Sequence, residues 1–325
     1  MAVTMRDVAR QAGVSVATVS RAFNESTAVR DRTRERILEA AARMRYVPNA
    51  TARSLTTTAT ESVGVLLPNL YGDFFSELIR GVEGAVRERG YHTLLSSVHD
   101  GPAELTAALR ALAGRVDGLV VMSPDLGAEA LEANLPSGLP VVLVGTAVPG
   151  YPSVVVDNEA GAEAVVRHLA GLGHRRVALI GGPAGNADAQ ARRAAYRRAV
   201  REGGLDADAA LEIAGDFTES SGYAAAQRLV EGARPTAVFA ANDAMAVGAL
   251  RAFREGGLDV PGDVALVGFD DVPVAAYVSP ALTSVHVPIH EMGRLAVRLV
   301  LDGGGASPPA LPTRLVVRES CGSGR

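Results

Sequence analysis

Hydrophobic positions follow two different patterns along the 325-residue chain. Up to about residue 60, apolar residues recur at helical spacing in short segments. From Ser62 onward, short continuous apolar runs alternate with amphipathic stretches. The change of pattern predicts an all-α domain in residues 1–60, followed by an α/β domain in residues 61–325.

The first apolar segment has helix signals at both ends. Thr4 and Asp7 have the spacing of a capping box, so we predict that a helix begins at Met5. Gly13 is suited to end it, because glycine adopts positive φ without strain. Ser15 is predicted to cap the next helix.

Two further helices complete the predicted head, over residues 16–23 and 33–45. In the first of them Val19 and Phe23 recur four positions apart and are predicted to face a small core. The short turn between the first two helices, with its glycine, is typical of a helix-turn-helix, whose second helix enters the DNA major groove. The outward positions of that helix are then Val16, Ala17, Thr18, Ser20 and Arg21.

These outward side chains suit contact with duplex DNA. Val16 and Ala17 can pack on thymine methyl groups, Thr18 and Ser20 can bond phosphates or bases, and Arg21 can bond a guanine edge. Taken singly, each is better explained as an ordinary solvated helix residue. The hypothesis therefore depends on the whole arrangement.

Charge separates the two domains. Residues 1–60 contain ten arginines and five acidic residues, a formal charge of +5, while the whole chain carries −4 and the remainder therefore −9. A basic head on an acidic body indicates a polyanionic partner for the head alone. All 32 basic residues are arginine, which excludes a P-loop lysine and a Schiff-base lysine.

The apolar runs after Ser62 recur at the spacing of βα units, which predicts two doubly wound lobes with parallel sheets. Open sheets of this kind bind ligands beyond the carboxyl ends of their strands. The residues in those places are polar or aromatic, and they suit a sugar or a nucleoside. They are Asp73, Phe74, Phe75, Arg192, Phe217, Asn242, Asp243, Asp270 and Asp271. Singly, each of these polar residues is about as well explained by a capping or loop role; Asp243, for instance, is suited to cap its helix.

The sequence gives little support to disulfide, metal or enzyme chemistry. Cys321 is the only cysteine, so no intrachain disulfide and no cysteine-based zinc site can form. No G-x-S-x-G motif occurs, and GGPAGN lacks the dinucleotide-binding spacing. Pro288 separates His286 from His290 and disfavours a helical metal pair. We therefore predict no catalytic residue, no metal and no cofactor. The lack of a signal-length or membrane-length apolar run predicts a cytoplasmic protein with no membrane partner.

The segment TMRDVARQAGVSVATVSRAFN, continuing through TRERILEAAARMRYVPNATARSL, resembles the DNA-binding head of LacI/GalR-type bacterial transcription repressors. The resemblance implies that Val16 and Ala17 select operator bases, and that Thr18, Ser20, Arg21 and Asn24 contact phosphates or bases. Thr4 and Ser15 complete the predicted DNA-binding set. It further implies a hinge helix at about residues 49–57, whose Leu55 wedges between base pairs in the minor groove.

The body resembles the effector domain of the same family, which is similar to periplasmic sugar-binding proteins. The matching segments include DFFSELIRGVE, GHRRVALIGGP, ANDAMAVGAL and VALVGFDDVP. The resemblance implies that Phe74, Arg192, Phe217, Asn242 and Asp270 line a ligand cleft, with Asp73 less closely matched. Three crossings near Asn158, His286 and Leu315 then define one lobe of about residues 61–158 plus 286–315 and a second of about 159–285 plus 316–325.

The sequence thus predicts a homodimeric, ligand-responsive repressor of sugar or related carbon metabolism genes that binds a near-palindromic operator. The tail after Arg318 lacks heptads, so a dimer is favoured over a coiled-coil tetramer. The alternative is a cytoplasmic sugar-binding module or sugar-acting enzyme whose helical head binds a protein partner.

Overall fold

The computed structural model describes residues 3–24, 29–46, 59–98, 101–303 and 305–322. The chain divides into two compact units, Met1–Thr60 and Glu61–Arg325. The predicted hinge helix at residues 49–57, with Leu55, lies outside the described residues, as does the side chain of Asn24.

The head unit contains helices α1 (Met5–Ala12), α2 (Val16–Asn24) and α3 (Asp31–Arg43). The Asp7 carboxylate accepts hydrogen bonds from the Thr4 backbone N–H at 3.0 Å and from the Thr4 hydroxyl at 2.6 Å, which confirms the start of α1. Gly13 ends α1 with φ of +65°. The third helix begins two residues earlier than predicted and also ends two residues earlier.

A small core holds the three helices together. Val8, Val19 and Ile37 are completely buried, one on each helix. Phe23 is half-buried and lies 6.1 Å from the ring of Tyr46, so the predicted inward stripe is confirmed. Ala22 is also buried, so the exposed face of α2 is formed by the residues on the opposite side of the helix.

The first sheet of the second unit consists of five parallel strands in the order β2-β1-β3-β4-β5. Their bounds are β1 (Ser62–Leu67), β2 (His92–Ser97), β3 (Gly118–Val121), β4 (Val141–Val144) and β5 (Ser153–Val154). Strands β1, β3 and β4 are buried throughout, as their continuous apolar runs predict. Strand β2 lies at the edge and is only partly buried, contrary to the expectation of a buried strand.

The second sheet has six strands in the order β11-β10-β9-β8-β6-β7. All neighbours are parallel except β10 and β11, which pair antiparallel at the edge. Their bounds are β6 (Val177–Gly181), β7 (Glu212–Ala214), β8 (Ala237–Ala240), β9 (Ala265–Asp270), β10 (Thr283–His286) and β11 (Arg314–Val316).

Helices connect successive strands and cover the sheets. They are α4 (Asp73–Glu88), α5 (Gly101–Leu112), α6 (Ala128–Asn134), α7 (Asn158–Gly171), α8 (Ala187–Glu202), α9 (Glu219–Glu231), α10 (Asp243–Glu255), α11 (Val274–Tyr277) and α12 (Ile289–Leu301). Among the described residues, no helix combines the length and the apolar character needed to cross a bilayer.

The chain passes between the two sheets at three places. It leaves the first sheet after β5, returns after β10 to place α12 against α4, and joins the second sheet again at β11. The boundary predicted near Leu315 falls inside β11, so the third crossing lies before Arg314.

Glycine permits the close approach of α4 and α12. A Cβ atom on Gly81 would lie 2.0 Å from the carbonyl oxygen of His290, whereas one on Gly84, in the same helix, would meet no atom within 4 Å. We expect Gly81→Ala to lower the free energy of unfolding by about 3 kcal/mol through overpacking. Gly84→Ala is the control, expected to be neutral or to stabilise by up to about 1 kcal/mol. Urea denaturation measures both, and equal effects would contradict the packing argument.

Candidate functional sites

The outer face of α2 carries the residues predicted to contact DNA. Val16 is 41% exposed, Ala17 and Arg21 are exposed, and Thr18 and Ser20 are half-buried. The hydroxyl of Ser15 lies 2.8 Å from that of Thr18 and accepts a hydrogen bond from the Thr18 backbone N–H, so Ser15 caps α2 as predicted. The first turn of the helix therefore presents short side chains with a fixed geometry.

Thr4 stands at the start of α1, and Asn24 is the last residue of α2. The Thr4 hydroxyl donates to Asp7 and thereby lowers the pKa of that carboxyl. Thr4 therefore stabilises the start of α1.

A cavity of about 500 Å³ lies at the carboxyl ends of the strands, and residues that follow both sheets line it. The structure brings all six residues of the predicted effector set to this cavity. They are Asp73, Phe74, Arg192, Phe217, Asn242 and Asp270. They meet there because parallel strands end at one edge of each sheet.

Arg192 on α8 is the most extensively bonded of the six. It is 4% exposed, and its Nε donates to Oδ1 of Asn158 at 2.8 Å. Nη1 donates to the carbonyl oxygen of Ala241 at 2.6 Å and lies 3.4 Å from Oδ1 of Asp270. The guanidinium carbon stands 3.7 Å from the ring centroid of Phe269. These contacts from several elements hold the guanidinium in one position.

Asp270 ends strand β9 with a φ of +101° and is 6% exposed. Its Oδ1 has no hydrogen-bond partner among the described residues, although Arg192 is an ion-pair neighbour. Burial raises the pKa of Asp270 to about 7, with nearby Asp188 adding to the rise and Arg192 opposing it. A left-handed backbone at a buried carboxylate is a strained arrangement of the sort found at functional sites.

Asn242 is engaged with its own surroundings. Its Oδ1 accepts a hydrogen bond from Met245 N–H at 2.9 Å and caps α10, while its Nδ2 donates to the carbonyl oxygen of Phe217 at 3.0 Å. Phe217 has a φ of +69°, and a Cβ on Gly182 would lie 2.4 Å from its ring. Asn242 therefore positions the aromatic wall of the cavity.

Asp243 is the first residue of α10 and does not cap it, since Asn242 is the cap, so the capping role weighed for Asp243 is wrong. It is completely buried, its Oδ1 accepts from the Ser284 hydroxyl at 2.6 Å, and its Oδ2 accepts from Val272 N–H at 2.9 Å. Burial, with Asp270 second, raises its pKa well above the usual value. The bonds fasten β10 and the segment after β9 beneath the cavity.

A second group of polar residues, not predicted from the sequence, lies at the same cavity. Asn158, known only as a predicted crossing point, donates to Oδ1 of Asp188 at 2.7 Å. Burial raises the pKa of Asp188. Asn186 caps α8 and donates to Oδ1 of Asp125 at 3.2 Å, which links the two lobes. The polar segment GNADAQARR after β6 was the signal for this group.

Two further aromatic residues line the cavity next to β1. Phe74 and Phe75 pack edge to face with ring centroids 5.5 Å apart, and both are half-buried. Asp73 is exposed, and Tyr71 at the rim is 81% exposed. The cavity thus offers apolar ring faces together with carboxylate and guanidinium groups, the combination suited to a polyhydroxylated ligand.

Metal chemistry is not indicated. Across the described ranges, no group of three or more His, Cys, Asp or Glu residues is arranged to hold a metal. His286 lies in β10 with its Nδ1 3.1 Å from Oδ2 of Asp271, whereas His290 lies in α12 beyond Pro288, so the two histidines do not share a helix.

Comparison with known proteins assigns the chain to a family. Residues 4–49 match the bacterial regulatory proteins of the lacI family, and residues 166–321 match a periplasmic binding protein-like domain. Catabolite control protein A of Priestia megaterium is 36% identical over 98% of this chain and 99% of that protein. The ribose operon repressor of Escherichia coli (strain K12) is 35% identical over 92% of each chain.

Solved structures agree over nearly the whole chain. A lac repressor dimer bound to operator and the anti-inducer ONPF superposes with a TM-score of 0.87 at 32% identity, covering 98% of this chain and 99% of that one. A complex of the transcriptional regulator CelR with cellobiose has a TM-score of 0.71 at 36% identity, covering 98% of this chain and 99% of that one. The fold and the two sites define a DNA-binding transcriptional regulator with a ligand-binding domain. The chain belongs to the LacI family.

Proposed function

We propose that the protein is a cytoplasmic repressor of genes for the uptake or use of a sugar, and that a sugar-like ligand in the cavity controls its binding to an operator. The observation that carries the proposal is the joining, in one chain, of an exposed α2 face on a basic head to a cavity that offers phenylalanine rings and an oriented guanidinium. One relative is named a catabolite control protein and another the repressor of a ribose operon.

The operator side of the proposal rests on α2. Val16 and Ala17 would lie against base edges, and Arg21 would bond a guanine or a phosphate. Two heads would read the two halves of a near-palindromic site, since a solved relative is a dimer on its operator. The hinge helix at residues 49–57, with Leu55 between base pairs, belongs to the same proposal.

The ligand side rests on the cavity. Phe74 and Phe217 would cover the apolar face of a sugar ring, while Arg192 and Asp270 would bond its hydroxyls. Asn242 would act through Phe217, which it holds in place. Binding would favour one arrangement of the two lobes, and the ligand would regulate the protein by its difference in affinity for the two arrangements. No catalytic step is part of the proposal.

Arg21→Ala tests the operator side. Duplexes selected from a random library by the wild-type protein serve as the probe, with a scrambled duplex for comparison. We expect Arg21→Ala to weaken binding to the selected duplex by about 1–3 kcal/mol and to relax the sequence preference at one position. Arg43→Ala, at the end of α3, is the control and is expected to affect both duplexes alike.

Leu55→Ala is a second test, because loss of the wedge should weaken the selected duplex and reduce its bending. If Arg21→Ala and Leu55→Ala both bind the selected duplex as the wild type does, the assignment of the head is wrong.

A further inference from the structure

The walls of the cavity carry carboxyl groups in large excess over cationic groups. Its lining within the described residues contains a single cationic side chain, Arg192. Around the opening stand Asp73, Asp125, Asp216 and Glu219, and deeper in the cavity are Asp188, Asp243 and Asp270. This excess of carboxyl groups over cationic groups in the lining is larger than the net charge of −4 for the whole chain would suggest.

Four of these seven carboxyl groups accept hydrogen bonds from neutral donors. Asp125, Asp188 and Asp243 accept hydrogen bonds from Asn186, Asn158 and Ser284 in turn. Asp216 accepts from the backbone N–H of Thr218 at 2.9 Å. In the described part of the chain, only Asp270 among the seven has a cationic group within ion-pair distance.

Asp270 also has unused bonding capacity that points to a ligand. It is buried, it lines the cavity, and its Oδ1 has no hydrogen-bond partner among the described residues. Nη1 of Arg192 lies 3.4 Å from this oxygen as an ion-pair neighbour, and a better-aligned donor would complete its hydrogen bonding. A ligand hydroxyl or ammonium group would supply that donor, and a phosphate or carboxylate oxygen would not.

The two lobes share the charge. Asp73 and Asp125 belong to the segment around the first sheet, and Asp188, Asp216 and Glu219 to the segment around the second. Closure of the lobes on a ligand would bring these carboxylates closer and exclude water, which strengthens their mutual repulsion. A positive charge between them would oppose that repulsion, and an added negative charge would increase it.

We propose that the cavity selects its ligand by charge: it takes an uncharged or amine-bearing polyol, binds a protonated amine better than the equivalent hydroxyl, and rejects phosphorylated sugars, sugar acids and nucleotides. The proposal rests on the function proposed above and narrows its ligand class. Each unit of charge is expected to change affinity about tenfold, since the groups act at short range in a partly desolvated site.

A thiol-reactivity experiment measures the charge of the cavity without knowledge of the natural ligand. Cys321 is 2% exposed, so a cysteine introduced by Tyr71→Cys at the rim is the accessible thiol. Its rates with cationic trimethylammonioethyl methanethiosulfonate and anionic sulfonatoethyl methanethiosulfonate are compared, each divided by the rate with a free thiol. Tyr277→Cys is the matched control, because Tyr277 is 86% exposed and lies outside the cavity lining.

We expect the cationic-to-anionic rate ratio at Tyr71→Cys to exceed that at Tyr277→Cys by about tenfold at low salt. Adding Asp73→Asn and Glu219→Gln to Tyr71→Cys should bring the ratio toward that of the control. Equal ratios at the two positions, or a higher anionic rate at Tyr71→Cys, would overturn the proposal.

Ligand panels separate this proposal from the one on which it rests. Glucose, glucosamine, glucose 6-phosphate and glucuronate, with the matching galactose series, are compared by calorimetry and thermal shift. The expected order is amine, then neutral sugar, then the two anions at about a tenth of the neutral affinity or less. Tighter binding of an anion than of its neutral parent would refute the charge selection. If no sugar binds while the thiol ratios hold, the sugar assignment fails and the selection by charge stands.

Discussion

Replacement of Arg192 by alanine is expected to lower the free energy of unfolding by about 3–5 kcal/mol and to abolish ligand binding. The guanidinium is 4% exposed and bonds Asn158 and Ala241, with Asp270 and the Phe269 ring beside it. Its removal leaves a buried carboxylate without its charge partner, which is one of the most destabilising changes a core can undergo. Urea denaturation measures the stability, and calorimetry with a sugar that binds the wild type measures the ligand.

Two variants distinguish this effect from a general one. Arg251→Ala removes an arginine that is 65% exposed and paired with Glu255, and it should change stability by less than about 1 kcal/mol. Arg192→Met combined with Asp270→Asn removes both charges and should recover much of the stability without restoring binding. Full binding by Arg192→Ala, or equal losses in Arg192→Ala and Arg251→Ala, would contradict the role assigned to Arg192.

The contribution of Asp270 to stability in the absence of ligand is expected to fall as the pH rises from about 4 to 7. Burial raises the pKa of Asp270 from 3.8 in the unfolded chain to about 7 in the folded one. Between these values the folded state binds the proton and the unfolded state does not, so the contribution is complete below about pH 4 and is lost as the pH passes 7. At 1.36 kcal/mol per unit of pKa, the change attributable to Asp270 is about 4 kcal/mol.

Asp270→Asn isolates this contribution. The amide keeps the volume and does not titrate, so the stability of the variant should depend less steeply on pH over the same range. Asp188 and Asp243 also have raised pKa values, which leave a residual slope of the same sign, whereas burial lowers the pKa values of His168 and His174, which adds a slope of the opposite sign. Free energies of unfolding from urea titrations at several pH values provide the measurement. An unchanged slope in Asp270→Asn would show that this carboxyl is not the titrating group.

Much of the fold follows from local pattern. The continuous apolar runs locate β1, β3 and β4 because strands buried on both faces need apolar side chains at every position. Ser15 and Gly13 could be recognised as helix ends because helix capping depends on residues that are close in the sequence. Strand β11 is three residues long and is held by pairing with β10, which no local signal encodes, so its bounds could not be predicted.

The residues that line the candidate site could be predicted from the sequence, but what each of them does could be predicted only in part. Residues after parallel strands converge at one edge, so Arg192 and Asp270 were found together. The role of Asn242 could not be predicted, because its bond to Phe217 joins residues 25 positions apart. Asp188 and Asn186 follow a strand as the other candidates do, but only Arg192 was selected from their segment.

Two of the three connections between the lobes are tied together. Leu311 N–H donates to Val155 at 2.8 Å, Asp157 N–H donates to Leu311 at 2.9 Å, and the Thr313 hydroxyl donates to the Asp157 carbonyl at 2.9 Å. The pair therefore behaves as one ribbon, and with the connection after β10 it provides two points of attachment. Two such points define a line, and the lobes are therefore expected to move by rotation about it. The size of the ligand in the cavity would then set the angle between the two lobes.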